Sequence, residues 1–316
     1  IPQYKVMLFE NINPRYSTQL YGLDLEFDRL SNLLLNQKLP KVILLTGEKG
    51  IGKFTLINHL AISYFDKENY NLLEKKIINK NNFFENLSKN LISNVIFLES
   101  NDFKNINVEE IRSLKNKLQK KPFYNNKRFI ILDDVETFNA NSINALLKII
   151  EEPNENDYFL LINNKTRPLI NTLKSRCLEF KIILNYNQRN KITNFLMDIH
   201  NQDTIIEQDK IMVSPGNFLR FNIILNENSI NIEENILKTF KIILDLYKKN
   251  KNLFFKDLLL FYSEFYLKTK RDNKHLTKME FIEDRNFLLN NINDFFLYNL
   301  NQGTLLRSIE NKFFNE

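Results

Sequence analysis

The stretch Gly47-Glu48-Lys49-Gly50-Ile51-Gly52-Lys53-Phe54-Thr55 is the most informative part of the chain. It follows the apolar run Val42–Leu45 and precedes a segment with helical periodicity, so the pattern predicts a strand, a loop and a helix. The stretch fits the phosphate-binding loop G-x-x-x-x-G-K-[ST] at every position but the last. In such a loop the glycines let backbone N–H groups surround a phosphate, and the N-terminus of the helix adds positive potential.

The last position of this loop ordinarily carries a hydroxyl that binds Mg²⁺, and here it is Phe54. Thr55 has a hydroxyl, but it lies one residue further on, rotated by about 100° around the helix. Lys53 is placed to reach the outer phosphates of a nucleotide. The sequence therefore predicts a nucleotide-binding scaffold whose metal ligand is missing, built from Gly47, Gly50, Gly52, Lys53 and Thr55.

The composition predicts a globular protein of two or three domains, because the chain has 316 residues, of which 43% are hydrophobic. The net charge of +6 is compatible with contact with nucleic acid but does not by itself predict it. The single cysteine, Cys177, excludes an intrachain disulfide and an all-cysteine zinc site. The sequence has no long apolar run and no signal peptide, so we expect a soluble, cytoplasmic protein. The chain opens on Ile1, which leaves open whether Met7 is the true start.

Five apolar segments alternate with helical patterns, which predicts a parallel sheet with crossover helices. The strands are expected at 42–45, 95–98, 129–132, 158–162 and 177–183, and the helices at 23–36, 53–66, 107–121 and 141–152. Asn107 and Glu110 form a capping-box pattern at the start of the third helix. The polar stretch 67–94 shows no clear pattern. Beyond Ile183 the pattern is helical only, which places domain boundaries near residues 183 and 228.

Two acidic residues follow the third predicted strand. Asp133 ends that strand, where a carboxylate can hold the Mg²⁺ of a bound nucleotide, and Asp134 stands where a carboxylate can activate water. Asp134 is one methylene shorter than the glutamate that usually fills such a position. The alternative is that Asp134 or Glu136 only caps the following turn.

The tripeptide Ser175-Arg176-Cys177 precedes the fifth predicted strand. On a loop at this point, Arg176 could project into a neighbouring subunit and stabilise the transition state of phosphoryl transfer there, as an arginine finger does. The alternative for Arg176 is a surface salt bridge. Cys177 is expected to be a core residue, since no base is evident near it. No metal site is predicted, because the three histidines lack the spacing of metal ligands: His59, His200 and His275.

Several of these segments together resemble a known family. The segments are Asp133-Asp134-Val135-Glu136, the run from Asn144 to Pro153, and Leu173-Lys174-Ser175-Arg176-Cys177. They resemble bacterial clamp-loader subunits of the AAA+ class, and most closely the delta-prime subunits of DNA polymerase III. Asn13-Pro14-Arg15 and Leu20-Tyr21-Gly22 resemble the start of alphaproteobacterial members. The resemblance covers roughly residues 10 to 222.

The resemblance implies a five-stranded AAA+ core with a phosphate loop at 1–183, a small helical lid at 184–228 and an all-helical C-terminal collar at 229–316. It implies a pentameric loader that opens the sliding clamp and places it on primed DNA. The implied partners are the motor subunits (gamma/tau) and the delta subunit, with no membrane. It also implies that Arg176 reaches the ATP site of an adjacent motor subunit.

The chain departs from this family at several functional positions. Phe54 replaces the hydroxyl that binds Mg²⁺, and Asn163 and Asn164 stand where a sensor-one Thr or Ser is common. The segment Ser214–Asn217 resembles the second sensor, but Asn217 takes the place of the usual Arg, and Arg220 lies three residues on. The four zinc-binding cysteines of many members are missing, so no zinc is expected.

These departures predict a subunit whose own ATPase is impaired, with Arg176 acting in trans. Weak binding of ATP and Mg²⁺ without turnover stays open, because the glycines and Lys53 are intact. The alternative is an ATP-hydrolysing motor subunit, similar to gamma/tau, of the same loader. An unrelated nucleotide kinase is a third hypothesis, but it would need an arginine-rich lid and a complete metal site.

Overall fold

The computed structural model describes residues 12–99, 106–120, 127–206, 212–230, 235–274 and 277–314. The chain divides into two compact units. The first extends to Thr193 and includes Ser214–Gly216; the second contains Asn194–Val213 and Asn217–Glu316. The division into a core, a lid and a collar, with boundaries near 183 and 228, stays a prediction.

The first unit is built on a five-stranded parallel sheet, as the alternating pattern predicted. The seven strands of the described residues are β1 (Val42–Thr46), β2 (Tyr70–Asn71), β3 (Lys76–Ile77), β4 (Val95–Glu99), β5 (Arg128–Asp133), β6 (Asp157–Asn163) and β7 (Leu178–Lys181). The parallel strands stand in the order β4-β5-β6-β1-β7. The remaining two, β2 and β3, pair antiparallel as a small hairpin inside the stretch 67–94.

Helices connect the strands and make up the C-terminal region. Those before and between the strands are Asp24–Leu35, Lys53–Phe65, Asn82–Ser88, Val108–Leu118, Ala140–Ile150 and Asn171–Lys174. Those that follow are Tyr186–Ile199, Pro215–Glu227, Ile236–Asn250, Phe254–Lys274, Lys278–Leu297 and Gln302–Phe314. The predicted all-helical C-terminal region is therefore confirmed. Among the described residues no helix is both long enough and apolar enough to cross a membrane.

The sheet is buried on both faces at its centre, because helices cover each side. All seven residues of β6 are buried, which explains why the central strands read as continuous apolar runs rather than alternating ones. On one face Leu44, Leu132 and Leu161 pack with apolar residues of the helices Val108–Leu118 and Ala140–Ile150. The core thus fixes the strand ends that carry the candidate site.

Local signals at helix ends were mostly correct. The capping box at Asn107 is present: its side chain accepts from Glu110 N, and the Glu110 carboxylate accepts from Asn107 N. The helix predicted to open at Asn141 begins earlier, because Asn139 is its N-cap and accepts from Ser142 N at 2.8 Å. Leu25, an apolar residue of the helix Asp24–Leu35, is 79% exposed.

A buried ion pair closes the amino ends of β5 and β6. The guanidinium of Arg128 donates from Nε to Asp157 Oδ1 at 2.9 Å and from Nη2 to Asp157 Oδ2 at 3.0 Å. The same guanidinium donates to the carbonyl oxygens of Lys117, Leu118 and Lys120, which end the helix Val108–Leu118. Both members of the pair are almost fully buried. Removing one partner would therefore leave the other charge buried and uncompensated.

We expect Asp157→Ala to lower the free energy of unfolding by about 3 to 5 kcal/mol, because it strands the buried Arg128 charge. The matched control is Glu109→Ala, which removes the exposed partner of Arg112 at 2.5 Å. That control should cost less than about 1 kcal/mol. Urea unfolding followed by circular dichroism measures both values, and equal losses in the two variants would contradict the prediction.

His59 is a buried residue of the helix that follows the phosphate loop, as the prediction of an ordinary core or surface histidine allowed. Its Nε2 lies 3.2 Å from the carbonyl oxygen of Ser17, and its Nδ1 lies 3.0 Å from the hydroxyl of Tyr70. A carbonyl only accepts, so Nε2 carries the proton and Nδ1 accepts from Tyr70. Burial lowers the pKa of His59 to about 4. The histidine is therefore neutral and holds the N-terminal segment to this helix.

This histidine should contribute to acid destabilisation. Between its folded pKa of about 4 and its ordinary value of 6.5, the unfolded chain binds more protons, so stability falls as the pH is lowered through that window. The loss is on the order of 3 kcal/mol across the whole window. Denaturant unfolding of His59→Gln at pH 7 and pH 4.5 should show a smaller pH difference than the parent. His200→Gln, which removes a half-buried histidine, is the control; an unchanged slope in His59→Gln would refute the assignment.

Candidate phosphate-binding site

The strand order brings three loops together at one edge of the sheet. Because the strands are parallel, their carboxyl ends share that edge. The strand β6 lies between β1 and β5, with Thr46 opposite Asn163 and Leu132 opposite Leu161. The strand β6 thus separates β5, which ends at Asp133, from β1 and the phosphate loop. The residues at the edge are therefore those that follow β1, β5 and β6.

The backbone of the phosphate loop requires its glycines. Gly50 and Gly52 have φ values of 86° and 96°, a left-handed region that side chains disfavour. Gly47 has an ordinary conformation, but a Cβ there would lie 2.7 Å from the carbonyl oxygen of Ile182. The helix Lys53–Phe65 begins directly after Gly52. The loop thus takes the course that the motif predicts.

Lys53 is folded back into the loop that it follows. Its ammonium donates to the carbonyl oxygens of Gly47 at 2.8 Å and Glu48 at 2.7 Å. The residue is 3% exposed. Burial lowers the pKa of Lys53 to about 8, while nearby carboxylates, first Asp133 and then Glu136, act to raise it. Lys53 is therefore a cation in a confined site surrounded by negative charge.

The carbonyl oxygens of Lys49 and Gly50, further along the loop, accept hydrogen bonds from residues outside the loop. Ser214 Oγ donates to the carbonyl oxygen of Lys49 at 2.5 Å, and Gly216 N donates to that of Gly50 at 3.0 Å. A Cβ on Gly216 would lie 2.8 Å from the same oxygen, so only glycine fits there. In a planar trans peptide, N–H and C=O point to opposite sides. The N–H groups that follow these carbonyls are therefore directed away from Ser214 and Gly216.

An ion pair also holds the loop. Arg189 Nη2 lies 2.6 Å from a carboxylate oxygen of Glu48, and Arg189 Nε donates to the carbonyl oxygen of Leu184 at 3.2 Å. Sequence reasoning missed this contact, since nothing in the pattern links residue 48 to residue 189. The pair neutralises a carboxylate that would otherwise oppose an anion in the loop.

Phe54, at the position where the motif predicts a hydroxyl, is part of the core. It is 8% exposed, and its ring stacks on that of Phe97 with centroids 5.5 Å apart. The guanidinium of Arg15 lies 4.8 Å from the centroid of Phe97. Thr55, which carries the next hydroxyl, is half-buried. Phe54 thus makes aromatic contacts with β4 and the N-terminal segment and offers no oxygen ligand.

The two aspartates at the end of β5 share one partner. Asn164 Nδ2 donates to Asp133 Oδ1 at 3.0 Å and to Asp134 Oδ1 at 2.7 Å. Asp133 Oδ1 also accepts from Asp134 N at 2.8 Å. Within the described residues the Asp134 side chain makes no capping bond to the turn Val135–Thr137, so the capping alternative does not describe it. The amide of Asn164 thus engages both carboxylates expected to serve a metal ion and a water molecule.

Glu136 is a site residue that sequence reasoning treated only as a possible cap. Its Oε1 accepts from Asn164 N at 3.0 Å, Thr166 N at 3.2 Å and Thr166 Oγ1 at 2.8 Å. The residue is buried, and within the described residues its Oε2 has no hydrogen-bond partner. Glu136 therefore fixes the loop after β6 rather than its own turn. Its only sequence signal was its position three residues after a strand end.

The other predicted sensor residues have different surroundings. Asn163 ends β6; its carbonyl oxygen accepts from Gly47 N at 3.2 Å, and its side chain accepts from Lys165 N at 3.0 Å. Asn217 lies in the first turn of the helix Pro215–Glu227 and belongs to the second unit, as Arg220 does. The role of Asn217 as a sensor stays a prediction.

Arg176 lies at the opposite edge of the sheet, just before β7. Its Nε and Nη2 each lie 2.8 Å from Glu151 Oε1, and its Nη1 donates to the carbonyl oxygen of Thr172 at 2.9 Å. The side chain is 38% exposed. The salt-bridge alternative thus describes Arg176 in the isolated chain. Burial raises the pKa of the neighbouring Cys177 to about 12, which suits a core thiol and not a nucleophile.

The residues at the carboxyl edge fit a phosphate better than a metal ion. The loop supplies glycines, backbone N–H groups and the ammonium of Lys53, all of which suit an oxyanion. A divalent metal ion needs several oxygen ligands. Phe54 offers none, and Asp133 and Asp134 are engaged by Asn164. In the part of the chain that the structure describes, no three His, Cys, Asp or Glu side chains are grouped to hold a metal ion.

Comparison with known proteins places this chain among DNA polymerase III subunits. It is 27% identical over 241 residues to subunit delta' of Buchnera aphidicola subsp. Schizaphis graminum, covering 71% of this chain and 70% of that one. It is 28% identical over 186 residues to subunit gamma of the same organism, covering 59% and 49%. It is 38% identical over 81 residues to subunit delta' of Buchnera aphidicola subsp. Baizongia pistaciae, covering 26% and 24%. The chain therefore spans less than half of the length of two of these three relatives.

A solved structure of a gamma subunit-related protein from Thermotoga maritima aligns with a TM-score of 0.46 at 18% identity, covering 90% of this chain and 96% of that one. The alphaproteobacterial assignment stays a prediction. The family model described as DNA polymerase III, delta subunit, matches residues 24–184. That range is more than half of the chain and contains the phosphate loop, Asp133, Asn164 and Arg176. The chain therefore belongs to the DNA polymerase III delta subunit family.

Proposed function

We propose that this chain is a clamp-loader subunit of the delta-prime type that does not hydrolyse ATP and that donates Arg176 to a neighbouring motor subunit. In this role it helps an ATP-driven loader to place a sliding clamp on primed DNA. Its direct partners are the motor subunits (gamma/tau) and the delta subunit. The assignment to DNA polymerase III rests on family membership, whereas the division of labour between subunits is inferred from the site.

The observation that carries the proposal is the burial of Phe54 against Phe97, with ring centroids 5.5 Å apart. A phenyl ring supplies no oxygen to Mg²⁺, and one packed in the core cannot move aside for a metal-bound water. The bond from Asn164 to both Asp133 and Asp134 supports the same inference. Phosphoryl transfer in phosphate-loop enzymes depends on the metal ion and on an oriented water molecule. Phe54 offers no oxygen ligand for the metal ion, and Asn164 engages the two carboxylates that would bind the metal ion and orient the water.

The position of Arg176 supports its action in trans. The residue lies at the amino edge of the sheet, remote from the phosphate loop at the carboxyl edge, so it cannot serve the site of its own chain. Its bond to Glu151 joins two half-exposed side chains, and such pairs contribute only about 0 to 1 kcal/mol. A neighbouring phosphate could therefore displace Glu151 at little cost, because a guanidinium binds phosphate in the same two-pronged way.

The motor subunit is the second candidate, and one observation favours it. Gly47, Gly50, Gly52 and Lys53 keep the geometry of a phosphate loop, and the chain is also similar to gamma subunits. Nucleotide binding is therefore compatible with the loop. The two candidates differ in whether bound nucleotide is turned over with Mg²⁺.

The isolated chain should bind ATP with an affinity that changes less than about threefold when Mg²⁺ is added, because the site lacks the metal ligands of P-loop enzymes. It should show no Mg²⁺-dependent turnover. Isothermal titration with and without Mg²⁺, and a phosphate-release assay, measure these two properties. Lys53→Ala is the control and should weaken binding at least about tenfold, since it removes a charged hydrogen bond to phosphate.

The pH dependence of that titration identifies the group involved. Because the pKa of Lys53 is about 8, the ammonium loses its proton as the pH rises through that value, and ATP affinity should fall there. Turnover that requires Mg²⁺ and disappears in Lys53→Ala would favour the motor subunit instead.

In a reconstituted loader, Arg176→Ala should reduce ATPase activity stimulated by DNA and clamp. An arginine finger contributes about 10³-fold or more at the single site that it reaches, so that site should become nearly silent. The total turnover of the loader should fall by the fraction that this one site contributes. Arg112→Ala, which removes another exposed arginine paired to a glutamate, is the matched control and should leave turnover unchanged. Equal activity of the two variants would refute the finger role.

A further inference from the structure

Two tyrosines lie together at the amino edge of the sheet, away from the phosphate loop. Tyr158 is the second residue of β6, and Tyr64 lies near the end of the helix Lys53–Phe65. This helix starts at the carboxyl edge and runs back along the sheet, so it ends at the amino edge. Both rings pack on Phe129, with centroids 5.8 Å and 6.0 Å from it. The tyrosines are therefore held in place by the core beneath them.

Three lysines surround these two rings. The ammonium of Lys41 lies 4.1 Å from the ring centroid of Tyr158. That of Lys127 lies 5.3 Å from both centroids, and that of Lys67 lies 5.7 Å from the centroid of Tyr64. Lys41 and Lys127 precede β1 and β5, and Lys67 follows the helix, so all three belong to the amino edge. We call these five residues (Lys41, Tyr64, Lys67, Lys127 and Tyr158) the tyrosine–lysine cluster.

The ammonium groups of the cluster are not paired with carboxylates. Among the described residues, no Asp or Glu side chain forms an ion pair with any of the three. Two carboxylates of this edge bind other groups: Asp157 is bound to Arg128, and Asp66 accepts hydrogen bonds from Asn69 and Asn81. Lys41 instead donates to the carbonyl oxygen of Glu155. Contacts with the ring faces offset only part of the repulsion between the gathered ammonium groups.

All the polar groups of the cluster can donate hydrogen bonds. Ammonium groups donate only, and a phenol donates while it is protonated. Burial, and secondarily Tyr158, raise the pKa of Tyr64, so its hydroxyl keeps its proton at neutral pH. Such a group of donors suits an anion with several oxygen acceptors. Tyr158 is 6% exposed, so its ring is not a platform on which a base can stack.

We propose that the tyrosine–lysine cluster binds the phosphodiester backbone of nucleic acid, without reading the bases. Three ammonium groups distributed around two adjacent rings suit the successive phosphates of a nucleic-acid backbone better than a single phosphate ion. The chain carries a net charge of +6, which favours a polyanionic partner. The inference deepens the proposed function, on which it rests for the presence of DNA, by naming the surface of this chain that meets it.

The experiment compares two variants that lose the same three positive charges. The test variant is Lys41→Gln/Lys67→Gln/Lys127→Gln. The control is Lys241→Gln/Lys248→Gln/Lys249→Gln, which changes exposed lysines of the helix Ile236–Asn250. Fluorescence anisotropy of labelled DNA, single-stranded and duplex, gives the affinity of the isolated chain at several salt concentrations.

Each phosphate contact contributes about 0.9 to the slope of log K against log salt on duplex DNA and about 0.7 on single strands. In the test variant, the slope of log K against log salt on duplex DNA should therefore become shallower by about 2 to 3. The affinity at low salt should fall at least about tenfold. The control should lose less than about 1 from the slope. A third variant with Arg at the three cluster positions should keep both values, because the charge is retained.

Equal losses in the test and control variants would overturn the proposal, since they would show that only the net charge matters. Polyglutamate that displaces DNA at equal charge concentration would overturn it in favour of an acidic protein partner. Tyr64→Phe should weaken binding about twofold or more if its hydroxyl donates to phosphate. The ATPase test of Arg176 in the loader is independent of these measurements, so failure of one proposal does not imply failure of the other.

Discussion

Parallel hydrogen bonding of β6 to both β1 and β5 organises the first unit. The strand is buried along its whole length, so its register cannot shift without exposing apolar side chains. This pairing places the ends of three strands side by side at each edge of the sheet. At the carboxyl edge it gathers the phosphate loop, the aspartates and Asn164. At the amino edge it gathers Arg128, Asp157 and the tyrosine–lysine cluster.

The carboxyl edge combines a glycine-containing loop of the phosphate-binding type with a phenyl ring at the position where the motif predicts a hydroxyl. The carbonyl oxygens of the loop accept hydrogen bonds from Lys53, Ser214 and Gly216, and these bonds hold the loop backbone in place. Phe54, in contrast, is part of the hydrophobic core, where its ring stacks on that of Phe97.

The charges of the amino edge fall into a buried pair and a more exposed group. The pair of Arg128 and Asp157 is buried with every nitrogen of the guanidinium engaged, so it stabilises the connection between two strands and a helix. Arg176 and the three lysines of the cluster are held by weaker and more exposed contacts. These charges can exchange partners at low cost, which is why the proposals for a subunit interface and for DNA binding rest on them.

Short stretches of sequence were enough to predict the strand–loop–helix unit, the parallel sheet, the capping box at Asn107 and the helical C-terminal region. These features depend on local periodicity and on the positive φ angles of Gly50 and Gly52, so residues close together in the sequence are enough to predict them. The same local pattern identified Phe54 as the position that departs from the phosphate-loop motif.

The distant residues that complete the site became known only from the packing of the whole unit. The order of strands in the sheet put β6 between β1 and β5, and thereby brought Asn164 onto both aspartates. Glu136 and Arg189 had no comparable sequence signal, because their partners lie 28 and 141 residues away. The tyrosine–lysine cluster likewise joins residues from separate strands and a helix. Contacts of that kind depend on how the helices and strands pack together, and no local sequence pattern predicts them.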